Sequence, residues 1–404
     1  MGGYYRVSRG EGCSPPGYPS LHDSQSHALS GVQTAHPITF SINRWIPFTH
    51  RKVDTTMIYR ALFAGFFTLT ILVMLSVPNT LAQSFRVEPA TWPFIEDGNT
   101  VDSTLEASAV LPVGTGDYLL VADDRTKGLV IVETRSGRQV GRIKNSQFPF
   151  WEPGTGEPFV KWEALARDEK FYFVLASHSG GKKYYQANSF LVRFSLVSNE
   201  DGIPTGVANA TRWRIDHALK QERLYPPDDS GDRVKLEGLA VWVTQEGKRM
   251  LAIGLREART AGKPIRVYVS DITNQPHGDS QLHLTKLLSF DGGETENGVT
   301  FKLSSLEHAT QLHGLLVLTA SENDDNEFIE NVLWLVPDSN RTQPTELWRF
   351  GRGLKAEGLC VLPRNAADEG IGTARIAIVF DNDPNKTKRP SRYQIATILG
   401  SKLE

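Results

Sequence analysis

Glu237-Gly238-Leu239-Ala240 recurs with small changes as Glu163-Ala164-Leu165-Ala166 and Glu357-Gly358-Leu359-Cys360. Each copy leads into a turn and then a strongly apolar stretch, at 171–176, 250–255 and 375–380. Looser copies begin at Glu106 and near Glu307, ahead of apolar stretches at 118–122 and 315–320. A strand–turn–strand unit that repeats at more than about 40 residues is the sequence signature of a β-propeller. The expected fold class is therefore all-β, a single β-propeller.

Between the copies, short strands alternate with clusters of Gly, Asp, Asn and Pro. The expected strands fall into five groups. The first is 106–111, 118–122, 128–133 and 139–143; the second is 163–166, 171–176, 190–196 and 212–215. The third is 237–243, 250–255, 265–269 and 284–290; the fourth holds only 315–320, 332–336 and 347–350. The last holds 357–362, 375–380 and 393–399. It lacks a fourth strand, while Ser84-Phe85-Arg86-Val87 stands spare at the other end. Pairing the two would close a ring and remove exposed sheet edges. Five blades are counted. Six is the alternative, with the extra blade hidden in 198–235, where 216–223 reads as a helix on the rim.

The N-terminal segments stand apart from this pattern. Residues 61–77 are continuously apolar or small, follow Met57-Ile58-Tyr59-Arg60, and precede Thr80-Leu81-Ala82. That order describes a signal peptide over 57–82, cleaved before Gln83. The competing reading is a membrane anchor over 61–77, which is short for a bilayer span. Residues 1–56 show no hydrophobic period and read as a non-native or disordered extension. The propeller domain is 83–404, exported to the periplasm or the extracellular space and expected to be monomeric.

Residues 83–404 keep 38 of the 44 basic and 43 of the 46 acidic residues, a formal net charge of −5. Nothing in that balance favours nucleic acid or an anionic membrane as a partner. Of the two cysteines only Cys360 remains, so the fold has no internal disulfide and stands on its core. Cys360 follows Leu359 in an apolar strand and reads as a small buried residue. Walker loops, H-E-x-x-H, paired C-x-x-C and G-x-S-x-G are absent from the sequence.

Within an antiparallel hairpin, the start of the first strand and the end of the second share one end. With the first strand innermost, one mouth of the central channel gathers Glu163 with Ser177, His178 and Ser179, and Glu237 with Arg256 and Glu257. Glu357 with Asp381, Asn382 and Asp383 joins them, as do Glu106 with Asp123 and Asp124, and Ser321 with Glu322 and Asn323. Each repeated Glu reads equally as a cap on a neighbouring blade. His178 beside a carboxylate reads as a general base or as an inter-blade hydrogen bond. Arg256 reads as an anion grip or as the neutraliser of the Glu ring. The oxygen-rich run from Asp381 to Asn385 suits a hard cation such as Ca²⁺, which takes six to eight oxygen ligands.

Lys235-Leu236-Glu237-Gly238-Leu239-Ala240, with Ala252-Ile253-Gly254-Leu255-Arg256 and Gly262-Lys263-Pro264, resembles a bacterial family of exported proteins known as a domain of unknown function. Trp162-Glu163-Ala164-Leu165-Ala166, Ala176-Ser177-His178-Ser179, Ala356-Glu357-Gly358-Leu359 and Phe380-Asp381-Asn382-Asp383 fit the same family. That family is similar to the propeller domain called esterase-like activity of phytase. The resemblance implies phosphoester or ester hydrolysis assisted by Ca²⁺.

Two function classes follow. As a hydrolase, the protein would use His178 and Glu237 as catalytic groups and Arg256 and Ser177 to hold a small anionic substrate. Glu163, Glu357, Asp381 and Asp383 would then ligate Ca²⁺. As a binding scaffold, the mouth would hold a small ligand or a partner loop. Strongly perturbed, clustered carboxylates favour the first class; a neutralised ring of Glu–Arg pairs favours the second.

Overall fold

Tyr118–Asp123, Arg249–Glu257, Gly314–Glu322 and Thr373–Asp381 are near-continuous apolar strands rather than alternating ones. A strand with that pattern has protein on both faces. The computed structural model provides it by standing five antiparallel sheets around one axis, each sheet a blade sandwiched between its neighbours. It describes residues 85–94, 96–97, 100–101, 105–123, 128–149, 161–169, 171–177, 190–222, 234–257, 264–273, 282–322, 328–351, 353–364, 372–381 and 391–400. The extension over 1–56, the leader over 57–82, His178 and Asp383 lie outside the described residues.

The first blade is β4 (Ala107–Val113), β5 (Tyr118–Asp123), β6 (Gly128–Glu133) and β7 (Arg138–Lys144). Two short strands, β2 (Glu96–Asp97) and β3 (Thr100–Val101), extend its outer edge. The second is β8 (Trp162–Arg167), β9 (Tyr172–Ala176), β10 (Phe190–Ser198) and β11 (Pro204–Arg214). The third is β12 (Lys235–Val243), β13 (Arg249–Glu257), β14 (Pro264–Asp271) and β15 (Thr285–Asp291). The fourth is β16 (Phe301–Ala309), β17 (Gly314–Glu322), β18 (Phe328–Pro337) and β19 (Thr345–Phe350). The fifth is β20 (Lys355–Val361), β21 (Thr373–Asp381) and β22 (Arg392–Gly400), completed by the N-terminal β1 (Phe85–Phe94). β1 pairs with β22 from Phe85 opposite Gly400 to Ala90 opposite Ile395 and beyond. The ring is closed as the sequence led one to expect.

The alternative of six blades fails because β11 occupies much of 198–235. It starts well before the expected strand at 212, and a bulge with left-handed Asn209 (φ 51°) hides its period. α1 (Asp216–Gln221) is the expected rim helix, with Ala218 and Leu219 buried against the second and third blades. The fourth group of expected strands lacked its innermost member. β16 fills that place, carrying Lys302, Glu307 and His308 among its apolar residues.

The core is a set of layers between blades. Leu239, Leu251 and Ile253 face the second blade, whereas Ala240 and Ala252 face the fourth, the period-2 alternation of a strand. Each innermost strand contacts the next, in a cycle β4–β8–β12–β16–β20.

All five inner strands are bulged at the same place. The pairing register slips across Ser108, Glu163, Glu237, Ser304 and Glu357. An extra residue at a bulge re-aims its side chain relative to the ladder. The next residue is always small: Ala109, Ala164, Gly238, Ser305 and Gly358. Close approach of the neighbouring inner strand demands this. A Cβ on Gly358 would sit 2.6 Å from Ala109 Cα and 2.7 Å from Val110 N. The repeat is thus a bulge residue, a small residue and an apolar core residue. Its first and fourth copies start at Ser108 and Ser304, which corrects the offsets read at Glu106 and Glu307.

Candidate functional site at the channel mouth

The bulges aim Glu163, Glu237 and Glu357 into one end of the channel, where Arg256 reaches them from the end of β13. Arg256 Nη1 donates to Glu237 Oε2 and lies 3.8 Å from Glu357 Oε2, while Nη2 donates to Glu322 Oε2 at 3.0 Å. One guanidinium therefore joins the third, fourth and fifth blades, and Glu163 of the second is close enough to favour its charge. The fourth blade has Ser304 at its bulge and supplies its carboxylate from β17 instead, as Glu322.

A second layer of charge escaped the sequence reading. Lys161, Lys235 and Lys355 each precede a bulge Glu by two residues, and each ammonium contacts the Oε1 of its own Glu: Lys161 at 3.0 Å, with Lys235 on Glu237 and Lys355 on Glu357 in close contact. The signal was visible as Lys-x-Glu in three blades and as Lys302-Leu303-Ser304 in the fourth. The lysine side chains are 25, 22 and 15% exposed, their glutamates 3, 1 and 4%. The lysine side chains keep some exposure, and the carboxylates they contact are sealed.

Electrostatics follow from that arrangement. Burial alone would raise the Glu237 carboxyl, but Arg256, Lys235 and Lys355 outweigh it and hold it down at about 2. Burial works against the Arg256 charge, and Glu237, Glu322 and Glu163 overcome it and raise the guanidinium further. Burial, then Arg256, brings the Lys355 ammonium down to about 8, against the pull of Glu237.

The remaining expected site residues fall as follows. Asp381 lies opposite Lys355 in the β20–β21 ladder and acts on its charge. Ser177 is fully buried and ties two blades: its N–H donates to the Lys161 carbonyl at 2.8 Å, and its carbonyl accepts from Leu236 N–H at 3.1 Å. Asp123 serves its own blade, accepting from Arg142 Nη1 at 2.7 Å and from Glu106 N–H at 3.3 Å. Cys360 is buried as expected, and burial, then Glu307, pushes its thiol up.

Of the carboxylates assigned to Ca²⁺, Glu163 and Glu357 are already in contact with cations, and Asp383 lies outside the described residues. Oε1 of both Glu163 and Glu357 already holds an ammonium, and among the described residues no three His, Cys, Asp or Glu converge as a ligand set. Glu237, held ionised down to about 2, is a weak base at neutral pH.

No protein-family model matches the chain, and no curated protein matches it. Solved propellers do. An endo-arabinase from Bacteroides thetaiotaomicron VPI-5482 is 11% identical over 78% of this chain and 98% of its own, with a TM-score of 0.42. An exo-β-1,3-galactanase from Phanerochaete chrysosporium is 9% identical over 77% of this chain and 64% of its own, with a TM-score of 0.41. The PQQ-bound aldose sugar dehydrogenase of Streptomyces coelicolor is 11% identical over 78% of this chain and all of its own, with a TM-score of 0.39. Likeness at this level says nothing of activity.

Proposed function

We propose that the protein is an exported β-propeller scaffold that binds a small anionic ligand, a carboxylate or a phosphate, at the Lys-lined mouth of its channel. The observation that carries this reading is the layering of charge. The partly exposed side chains of Lys161, Lys235 and Lys355 stand over buried carboxylates that each contact an ammonium. Ammonium donors beside a fixed guanidinium attract anions. The hydrolase reading has less support at Glu163, Glu237 and Glu357, the carboxylates that the lysines and Arg256 hold; of its other groups, His178 and Asp383 lie outside the described residues. The likeness to the esterase-like domain of phytase rests on the quoted motifs.

Isothermal titration with inorganic phosphate, citrate and CaCl₂, beside hydrolysis assays on nitrophenyl phosphate and nitrophenyl acetate, tests the reading. The expected result is salt-sensitive binding of an anion, weakened at least tenfold in Lys355→Met, with no turnover. Hydrolysis that is lost in Glu237→Gln would overturn it and restore the enzyme.

A further inference from the structure

The apolar layer between the third and fourth blades carries one imidazole whose bonding is incomplete. Ala240 and Trp242 of β12 face this layer, as does Leu306 of β16, and the strand period of 2 brings His308 to the same side. There the ring stacks on the Trp242 indole, centroids 5.1 Å apart and planes 15° from parallel. The side chain is 6% exposed, and its Nε2 lies 3.0 Å from Asp338 Oδ2. That bond holds the Asp338 carboxyl below its ordinary value, so the carboxylate accepts and Nε2 carries the proton. In the neutral ring Nδ1 is then a bare acceptor, buried and without a hydrogen-bond partner among the described residues.

His308 also lines a cleft in this seam. Counted out to its mouth, the cleft holds 210 Å³ of empty space, and within it there is room for about one water. Its walls are apolar: Trp242 and Leu288 from the third blade, Leu315 and Val336 from the fourth. Asp338 and Arg341 complete the lining, with Arg341 Nη2 3.9 Å from Asp338 Oδ1. Leu315 and Glu322 stand at opposite ends of β17, ~23 Å apart at the strand rise of ~3.3 Å per residue. The cleft is therefore separate from the charged mouth.

We infer that this cleft is a binding site for a small neutral alcohol or phenol, whose hydroxyl donates to His308 Nδ1 and whose apolar body lies along Trp242, Leu288 and Val336. A buried acceptor is costly to leave unpaired, so an occupant that brings a donor is favoured. Water suits the place poorly: a buried water needs about two to four polar partners, and Nδ1 is the one left open here. A hydroxyl on an apolar body needs only one, and the rest of the molecule covers apolar wall. Charge adds little, because Asp338 and Arg341 already answer each other. The space fits a fragment-sized molecule, since sites for larger ligands begin at about 300 Å³.

Isothermal titration of the whole protein with phenol, cyclohexanol and toluene tests the site. The expected result is that phenol or cyclohexanol binds with a Kd of about 1 mM or tighter, and that toluene, which has no donor, binds ~tenfold more weakly or worse. Benzoate, an anion the lysine-lined mouth would take, should not displace phenol. His308→Phe keeps a ring on Trp242 and removes Nδ1, so phenol should lose its advantage over toluene. Leu287 is half-buried and also lines the cleft; Leu287→Trp fills it from that position and should abolish binding while the thermal midpoint holds. That variant carries the test should His308→Phe not fold. Toluene binding as tightly as phenol, displacement of phenol by benzoate, or phenol affinity unchanged in Leu287→Trp would each overturn the proposal. So would failure of both alcohols to bind, the cleft then holding water alone.

Discussion

Arg256 Nη2 donates to Glu322 Oε2 at 3.0 Å, across the seam between the third and fourth blades. With Glu237 in its own blade and Glu357 in the fifth, that guanidinium is a fastener at the axis of the ring. Its side chain is 2% exposed, so its worth is measured by what removal leaves behind.

Arg256→Met leaves three acids at the mouth, Glu237 and Glu357 deeply buried, without their shared cation. Breaking a buried pair from one side costs about 3–5 kcal/mol. The expected outcome in urea denaturation is a loss of that order. The double variant Arg256→Met/Glu237→Gln should recover part of it, since one orphaned charge goes too. A loss below about 1 kcal/mol, the range of exposed ion pairs, would mean the network is solvent-screened.

Acid should act through Glu237. Its folded value, about 2, lies below the ordinary 4.5, so the folded state binds this proton less readily than the unfolded one. The stabilisation is fully present above about 4.5 and is lost as pH falls towards 2. Thermal midpoints of the wild type should therefore fall through that window more steeply than those of Glu237→Gln. Equal slopes would show that other groups carry the acid sensitivity.

Gly358→Ala and Gly238→Ala should differ. The new methyl at 358 meets the backbone of Ala109 and Val110, which cannot step aside. At 238 it meets side-chain atoms, Leu306 Cγ at 2.6 Å and the δ-methyls of Leu303 and Leu306 at 2.8 and 2.9 Å, which can shift further than backbone can. Overpacking costs about 1–3 kcal/mol; the first substitution belongs at the top of that range or beyond, the second near its foot. Denaturation midpoints of the two variants order them directly.

Removing residues 85–94 should open the fifth blade. β22 then becomes a bare edge with unpaired backbone groups, a template for another chain. Size-exclusion chromatography should show association or aggregation, and adding the 85–94 peptide should reduce it. A monomer of unchanged stability would mean the closing strand is dispensable.

Much of this architecture was legible because three blades write the repeat in full. Glu237-Gly238-Leu239 contains the bulge residue, the small residue and the core residue in order. The first and fourth blades use Ser at the bulge. Nearby Glu106 and Glu307 drew the alignment to them, two residues early and three late. Ser108 and Ser304 carry no charge to mark the place, so only the backbone register reveals it. β16 went unseen because its apolar residues are interrupted by Lys302, Glu307 and His308, residues an inner strand carries only where they face a channel or a neighbour's polar group. The gathering of Glu163, Glu237, Glu357 and Arg256 followed from hairpin topology. The lysines did not, since a lysine two residues before a glutamate reads as an ordinary solvated pair until the bulge turns both towards the axis.

Pairing Phe85 with Gly400 also sets an order of events during synthesis. The first strand of the propeller to leave the ribosome has no partner until nearly the last residue has been made. Four blades can form as local hairpins while translation proceeds, but the fifth cannot, and contacts so distant in sequence form slowly. A chain arrested or clipped near its C-terminus would keep four complete sheets and an orphan strand. Complete translation is thus written into the geometry as a condition for a sealed ring.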